Sequence, residues 1–121
     1  MTASPTRELA RWVANLSYGG LPPAVVAHIK LCILDTIGCG LFGSTLPWGR
    51  LIADFVKKLG GEEEATVWGH PFKTSSANAA LAGGTMVHGF ELDDLHQEGI
   101  VHPGSISIPS ALALAEGEGC S

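Results

Sequence analysis

The chain has 121 residues, so it is long enough for one domain at most. Hydrophobic residues make up 45% of it and charged residues only 16%, a composition too apolar for a disordered chain. Seven basic residues against twelve acidic ones give a net charge of −5, which argues against the phosphate-neutralising surface of a nucleic-acid-binding protein.

The first two predicted helices begin at proline residues. Ser4 is the expected N-cap of the first helix and Pro5 its first residue. The apolar residues of this helix recur on one face, at positions i, i+3, i+4 and i+7: Leu9, Trp12, Val13 and Leu16. The second helix begins at Pro22 and Pro23. Its later part, residues 31–42, is apolar nearly all round, so we expect that part to be buried on several sides.

A third helix and one short extended segment follow. The helix is indicated by apolar residues at helical spacing, namely Leu51, Ile52, Phe55, Val56 and Leu59. We expect it to end at Gly60 and Gly61, because glycine is the commonest residue just after a helix. Residues 65–68 form the only plausible strand, a short one bounded by Gly69 and Pro71.

Two further helices complete the predicted fold. Ser75 or Ser76 is the expected cap of a helix of small residues that runs to about Gly89. The last helix is predicted over residues 105–116, with Pro109 tolerated only near its first turns. Five helices and at most one short strand predict an all-α fold, a helical bundle.

Membrane insertion and secretion are not expected from the sequence. The most apolar run, residues 31–43, is shorter than the about 20 residues that span a bilayer, and it contains Asp35. The first eight residues are polar and unlike a signal peptide. The chain has three cysteines, Cys32, Cys39 and Cys120, an odd number, and their spacing matches no metal-binding or redox motif. We therefore expect free thiols that pack in the interior, and a reducing, cytoplasmic location.

Residues 74–121 contain no lysine or arginine, and three of the five histidines fall in the same stretch. All of its formal charge comes from six carboxylates, namely Glu91, Asp93, Asp94, Glu98, Glu116 and Glu118. Four of these carboxylates lie in one loop together with the histidines His88, His96 and His102. Such a density of groups that exchange protons is typical of general acid/base catalysis.

Each of these residues also has a structural interpretation. Asp93 or Asp94 could cap backbone amides in a turn, and His96 could be a solvated loop residue. For His88 we favour a core histidine that is hydrogen-bonded to a carbonyl group over the alternative, a helical pair with Glu91 one turn later. For His102 we favour a functional role, because Pro103 holds it extended next to a helix start whose free amides suit an anion.

A metal site is a further alternative for this loop. Three imidazoles and four carboxylates could bind zinc, manganese or iron, but the spacing matches no compact metal motif. The candidate ligands are His88, Glu91, Asp93, Asp94, His96 and His102. We expect neither a metal nor another cofactor.

Several ordered segments of the sequence resemble the MmgE/PrpD family. They are LDTIGCGLFG (residues 34–43), ATVWG (65–69), SANAALAGGT (76–85), ELDD (91–94) and HPGS (102–105). The resemblance implies a cofactor-independent, 2-methylcitrate dehydratase-like lyase or a related enzyme that acts on small di- and tricarboxylates. It also implies a large helical domain with a smaller α/β lid, usually in a dimer. Glu91 stands where relatives often have aspartate, and Leu95 replaces a residue that is polar in some of them.

The resemblance assigns the catalytic roles to His102, Asp93 and Asp94. His102 would be the acid/base, and one of the aspartates would orient it or position a hydroxyl group. The adjoining Gly104 and Ser105 are the expected substrate-binding residues. The reaction would be dehydration, decarboxylation or epimerisation at a carbon next to a carboxylate.

Family members are several-fold longer than this chain. We therefore interpret residues 1–121 as a partial helical domain without the lid, inactive alone unless a partner chain, most simply a second copy, completes the site. A substrate with several carboxylates needs cationic groups, and the site loop supplies none. The alternative function is a noncatalytic helical module that associates with itself through its apolar faces.

Overall fold

The computed structural model describes residues 4–120. They form two compact units, one that extends to Lys30 and one that starts at Leu31. Five α-helices and a two-stranded antiparallel sheet occur among these residues, of which 65% are helical. The predicted all-α fold class is confirmed.

The first unit contains α1, Pro5–Ala14, a 3₁₀ turn, Tyr18–Gly20, and the beginning of α2, Pro23–Ser44. Helix α1 begins at Pro5 as predicted, although the Ser4 side chain makes no capping hydrogen bond. The apolar face of α1 is exposed among the described residues, with Trp12 58% accessible. The periodicity of the sequence thus predicted this helix correctly, but the first unit does not bury the apolar face of α1.

Helix α2 has 22 residues, and an 18-residue window within it has a mean hydropathy of 1.7, so by length and composition it could cross a membrane. The apolar run of residues 31–43 is part of this longer helix, which begins near Pro22 and Pro23 as predicted. Contrary to expectation, length and composition alone therefore do not exclude a span, although core helices of soluble proteins pass the same test. The expected burial of residues 31–42 on several sides is wrong for the described chain. One face is buried, with Thr36 and Cys39, whereas Leu34 is 67% exposed.

Helix α3, Pro47–Leu59, ends before Gly60 as predicted. The predicted strand is observed as β1, Ala65–Thr66, and it pairs with an unpredicted second strand, β2, Lys73–Thr74. The register places Ala65 opposite Thr74 and Thr66 opposite Lys73. The expectation of at most one strand was wrong because two residues are too few to show the alternation from which strands are predicted.

Helices α4, Ser76–His88, and α5, Pro103–Gly117, pack closely against each other. Helix α5 begins two residues earlier than predicted, since proline is favourable at the first helical position. Pro109, in its second turn, has no N–H to donate to the Ser105 carbonyl. Gly84 of α4 faces that carbonyl, where a Cβ atom would lie 2.9 Å from the oxygen. The small residues of α4 thus permit the close contact.

The core of the second unit holds the end of α4 in place. Its larger cluster contains Ala53, Val56, Val67, Ala82 and Met86, and a smaller one contains Ala65, Ala79 and Ala113. Gly43 of α2 lies directly against the backbone carbonyl of Met86. Because Met86 is two residues before His88, this packing determines where the last side chain of α4 lies.

The Glu116 side chain connects α5 to the sheet by an ion pair and hydrogen bonds. Its carboxylate lies 2.7 Å from Lys73 Nζ and accepts hydrogen bonds from the Thr66 N–H (2.9 Å) and hydroxyl (2.8 Å). The hydrogen bond from Lys73, followed by those from Thr66, lowers the pKa of Glu116 to about 2. This contact orients the helix whose N-terminal end carries His102.

Candidate active site

Two helix ends and the loop between them form the candidate site. His88 is the last residue of α4, and His102 occupies the N-cap position of α5. The intervening loop returns on itself, so the two imidazole rings meet with their centroids 4.5 Å apart. The fold thus brings together side chains that are 14 positions apart in the sequence.

Asp93 lies behind both rings, and its side chain is fully buried. Its Oδ1 atom is 3.1 Å from His102 Nδ1 and 3.4 Å from His88 Nδ1. The contact between Asp93 and His102 does not have the geometry of a hydrogen bond. Among residues 4–120, the buried Nδ1 atom of His102 has no hydrogen-bond partner. A buried carboxylate needs a compensating positive charge or proton, and these two imidazoles are the groups placed to supply it.

Glu91 lies on the opposite side of the rings. Its carboxylate oxygens are 3.4 Å from His88 Nε2 and 3.9 Å from His102 Nε2. Its side chain is 70% exposed, and its backbone has a φ of 56°, an uncommon conformation for a residue other than glycine. Both rings thus have Nδ1 toward a buried carboxylate and Nε2 toward an exposed one.

Asp94 has a different position from Asp93. Its Oδ1 atom accepts a hydrogen bond of 2.8 Å from the Gly104 N–H, in the first turn of α5. It therefore caps the helix, which is the turn-capping role considered for either aspartate. Thr36 of α2 is buried beside the same turn, where a Cβ atom on Gly104 would meet both Asp94 and Thr36.

The sequence that forms this site can be compared with the sequences of known proteins. The sequence profile of the MmgE/PrpD N-terminal domain matches residues 7–121. The chain belongs to the MmgE/PrpD family. Similar curated proteins are the cis-aconitate decarboxylase-like protein oryM of Aspergillus oryzae and the cis-aconitate decarboxylases of Aspergillus terreus and Homo sapiens.

The identities to these three relatives are 33%, 30% and 31%, over 92%, 92% and 96% of this chain. The same matches cover 23%, 23% and 24% of the relatives. This MmgE/PrpD chain therefore spans about a quarter of the length of the curated relatives it matches. The predicted family is confirmed, and the three relatives are named as cis-aconitate decarboxylases or as a protein like them.

The predicted site residues of this MmgE/PrpD chain lie close together. Asp93 contacts His102, Asp94 contacts Gly104, and the Ser105 hydroxyl donates to the His102 carbonyl, at 2.9 Å. The Gly104 N–H is already used by Asp94. The substrate-binding role of Gly104 and Ser105 stays a prediction, as do the catalytic roles.

His88 was considered, apart from its structural interpretation, only as a possible metal ligand in the sequence analysis and was not assigned a catalytic role. The favoured interpretation as a core histidine is wrong, because 45% of its side chain is exposed and its contacts are to carboxylates. The only local signal was Glu91 three positions later, which is also compatible with an ordinary surface pair. His96 is exposed, and its Nδ1 accepts the Gly99 N–H within a turn, as expected for a solvated loop residue.

Cys39 lies close enough to these carboxylates for them to affect it. Burial raises the pKa of its thiol, and the charges of Asp35, Asp93 and Asp94 raise it further. A raised pKa keeps the sulfur protonated and unreactive. Cys39 is thus a packing residue in this MmgE/PrpD chain, in agreement with the sequence-based expectation, whereas the expectation of a packed thiol is wrong for Cys120, which is exposed.

An open groove of about 510 Å³ lies between α4 and α5 and reaches the site. Leu81 and Ile106 contribute to its apolar walls, and His88 and Ser105 are also in its lining. This groove provides, beside the His88 imidazole, a space of a size suited to a small ligand.

Proposed function

We propose that the protein is part of an enzyme that performs acid/base chemistry on a small di- or tricarboxylate, with decarboxylation of a cis-aconitate-like acid as the first candidate reaction. Dehydration and epimerisation use the same proton transfers. The observation that carries the proposal is the buried Asp93 carboxylate against Nδ1 of His102. This contact occupies Nδ1 and leaves Nε2 of His102, on the accessible side of the ring, as the atom that exchanges a proton with the substrate.

The chemistry follows from this orientation. An Nδ1–H directed at Asp93 leaves a lone pair on Nε2, and a carboxylate behind the ring stabilises the imidazolium form. In a decarboxylation the bond to the carboxylate carbon breaks, carbon dioxide leaves, and its electron pair remains with the substrate carbon framework. His102, which has first taken up a proton from solvent on Nε2 and become an imidazolium, then donates that proton to the substrate carbon framework, completes the product and returns to the neutral form. Catalytic hydrogen bonds are often poorly aligned before substrate binds, as the His102–Asp93 contact is here.

Binding of such a substrate requires positive charge from elsewhere in the enzyme. The sequence has no lysine or arginine after Lys73, while Glu91, Asp93 and Asp94 surround the imidazoles. Several carboxylates in one pocket are stable only beside cationic or other donor groups. We propose that a further part of the enzyme or a second copy in a dimer supplies them, and that the enzyme is soluble and cytoplasmic.

The test compares two histidines of the same loop. The purified protein is incubated with ¹³C-labelled cis-aconitate, and both labelled carbon dioxide and ligand binding are followed by NMR for wild type, His102→Gln and His96→Gln. We expect binding or turnover to be lost in His102→Gln alone, because of these two histidines only His102 contacts Asp93. Equal binding and turnover in the three proteins would contradict the proposal. So would a wild type that, with the cationic groups of the assembled enzyme present, neither binds nor converts this acid, citrate or a related hydroxy acid.

A second candidate, a noncatalytic self-associating module, rests on the exposed apolar surface. Large apolar side chains are well exposed in both described units, for example Leu9, Leu34, Leu51 and Ile106. Exposed apolar surface is a common feature of interfaces between protein chains. Light scattering that shows a defined oligomer, together with no acid binding and no effect of His102→Gln, would favour the module over the enzyme.

A further inference from the structure

The outer side of the histidine pair has the composition of a metal site. One donor atom each from His88, Glu91 and His102 can be chosen so that the three atoms lie within 4.8 Å of one another. The Glu91 carboxylate reaches toward Nε2 of both rings, at 3.4 Å and 3.9 Å. Two imidazoles and one carboxylate are ligands that zinc and other divalent transition metals prefer.

One of the three separations matches that of a bound ion. Zinc bonds of about 2.0–2.2 Å to nitrogen and oxygen place neighbouring ligand atoms of a tetrahedral site about 3.3 Å apart. The His88–Glu91 separation already has this value within about 0.1 Å. The Glu91–His102 separation is longer, 3.9 Å, and the exposed Glu91 side chain is the group that would turn to shorten it.

Asp93 is an independent observation that supports a metal site. Metal-binding histidines usually present their second ring nitrogen to a carboxylate or carbonyl, which fixes the ring and its tautomer. Asp93, whose side chain is fully buried, faces Nδ1 of His102 and of His88 at 3.1 Å and 3.4 Å. One buried carboxylate thus orients both imidazoles, and both Nε2 atoms point to the same exposed carboxylate.

We propose that His88, Glu91 and His102 bind a divalent transition metal ion of the zinc type, with Asp93 as the positioning residue behind both rings. Calcium and magnesium prefer all-oxygen ligand sets, so imidazole nitrogen disfavours them. The proposal stands on geometry and does not require the proposed enzymatic function. If that function holds, the metal occupies the Nε2 lone pair of His102 and inhibits proton transfer.

The binding test uses Zn²⁺ and Co²⁺ alone, without substrate. Equilibrium dialysis of the full chain against Zn²⁺ is expected to give about one bound ion per chain, and the Co²⁺ complex should show visible absorption without a thiolate band. Glu91→Gln, at an exposed position that tolerates substitution, and His88→Ala are each expected to weaken binding at least about tenfold. Asp93→Asn should weaken it about 10- to 100-fold, the usual effect of removing such a carboxylate.

His96→Ala is the matched control, since it removes an exposed imidazole from the same loop. It is expected to leave the affinity unchanged, and circular dichroism checks that every variant folds. No saturable Zn²⁺ binding, binding unchanged by Glu91→Gln and His88→Ala, or binding lost in Cys120→Ser would overturn the proposal. Loss of catalysis in His102→Gln without metal present tests the enzymatic function separately, so failure of one proposal does not imply failure of the other.

Discussion

The Nδ1 atom of His102 lies 3.1 Å from Oδ1 of Asp93, a carboxylate whose side chain is fully buried. The same oxygen is 3.4 Å from Nδ1 of His88, so one buried charge lies behind two rings. Neighbouring residues in the sequence have separate roles, since Asp94 is used to cap α5. The acidic pair thus divides into one residue that faces the histidines and one that stabilises the adjoining helix.

Asp93→Asn tests the first of these roles. The amide is nearly the same size, but it removes the negative charge and can present an N–H to the ring, which disfavours the required tautomer. In the active enzyme we expect kcat to fall about 10²- to 10⁴-fold with little change in KM, because substrate contacts remain. Steady-state kinetics checks this, and an equal rise in KM with unchanged kcat would show that Asp93 acts in binding instead.

Asp94→Ala tests the capping role. Removal of the oxygen that accepts the Gly104 N–H should lower the free energy of unfolding by about 1 kcal/mol, the usual effect of losing a helix cap. Asp94→Asn is the matched control, because its amide oxygen can still accept that bond, and it should be less destabilising. Urea unfolding of the three proteins checks this. Equal losses of unfolding free energy in Asp94→Ala and Asp94→Asn would indicate that the negative charge of Asp94, and not its hydrogen bond to Gly104, stabilises the protein.

Two glycines of α2 give opposite predictions for the same substitution. A Cβ atom on Gly43 would collide with the backbone carbonyl of Met86, whereas one on Gly38 would meet nothing within 4 Å. We expect Gly43→Ala to destabilise the protein by about 1–3 kcal/mol, as overpacking does. Gly38→Ala should stabilise it by about 0.5–1 kcal/mol through helix propensity. Thermal unfolding distinguishes them, and similar melting temperatures would refute the close contact.

We expect Glu116→Gln to destabilise the protein by an amount that depends on pH. The folded-state pKa of Glu116, about 2, is below the ordinary 4.5, so its stabilisation is fully present above pH 4.5. The stabilisation is lost as the pH falls from about 4.5 toward 2, because the unfolded chain takes up the proton first. At neutral pH we expect a loss of about 1 kcal/mol, since solvent screens this partly exposed ion pair.

The check on Glu116→Gln is urea unfolding from pH 7 to pH 2.5. The difference between wild type and variant should shrink as the pH falls. Glu118→Gln, at an exposed residue at the C-terminal end of α5, serves as the control and should follow wild type throughout. A constant difference for Glu116→Gln over this range would mean that its ion pair and hydrogen bonds do not set the pKa.

Much of the fold could be predicted from local sequence signals. Pro5 and Pro23 begin helices, and Gly60 follows one, because these residues restrict or permit backbone angles irrespective of distant partners. The strand β2 could not be predicted in this way. It consists of Lys73 and Thr74 alone, and it exists because the chain returns alongside β1.

The sequence by itself determined the helical fold class, the family, and the loop in which carboxylates and histidines are concentrated. These properties depend on composition, periodicity and ordered motifs along the chain. Only the tertiary structure decided that Asp93 is buried behind the rings while Asp94 caps a helix, and that His88 joins His102. The reason is physical: a side chain's partners depend on how distant helices pack, here on the contact of Gly43 with the backbone of Met86, and no local pattern encodes that distance.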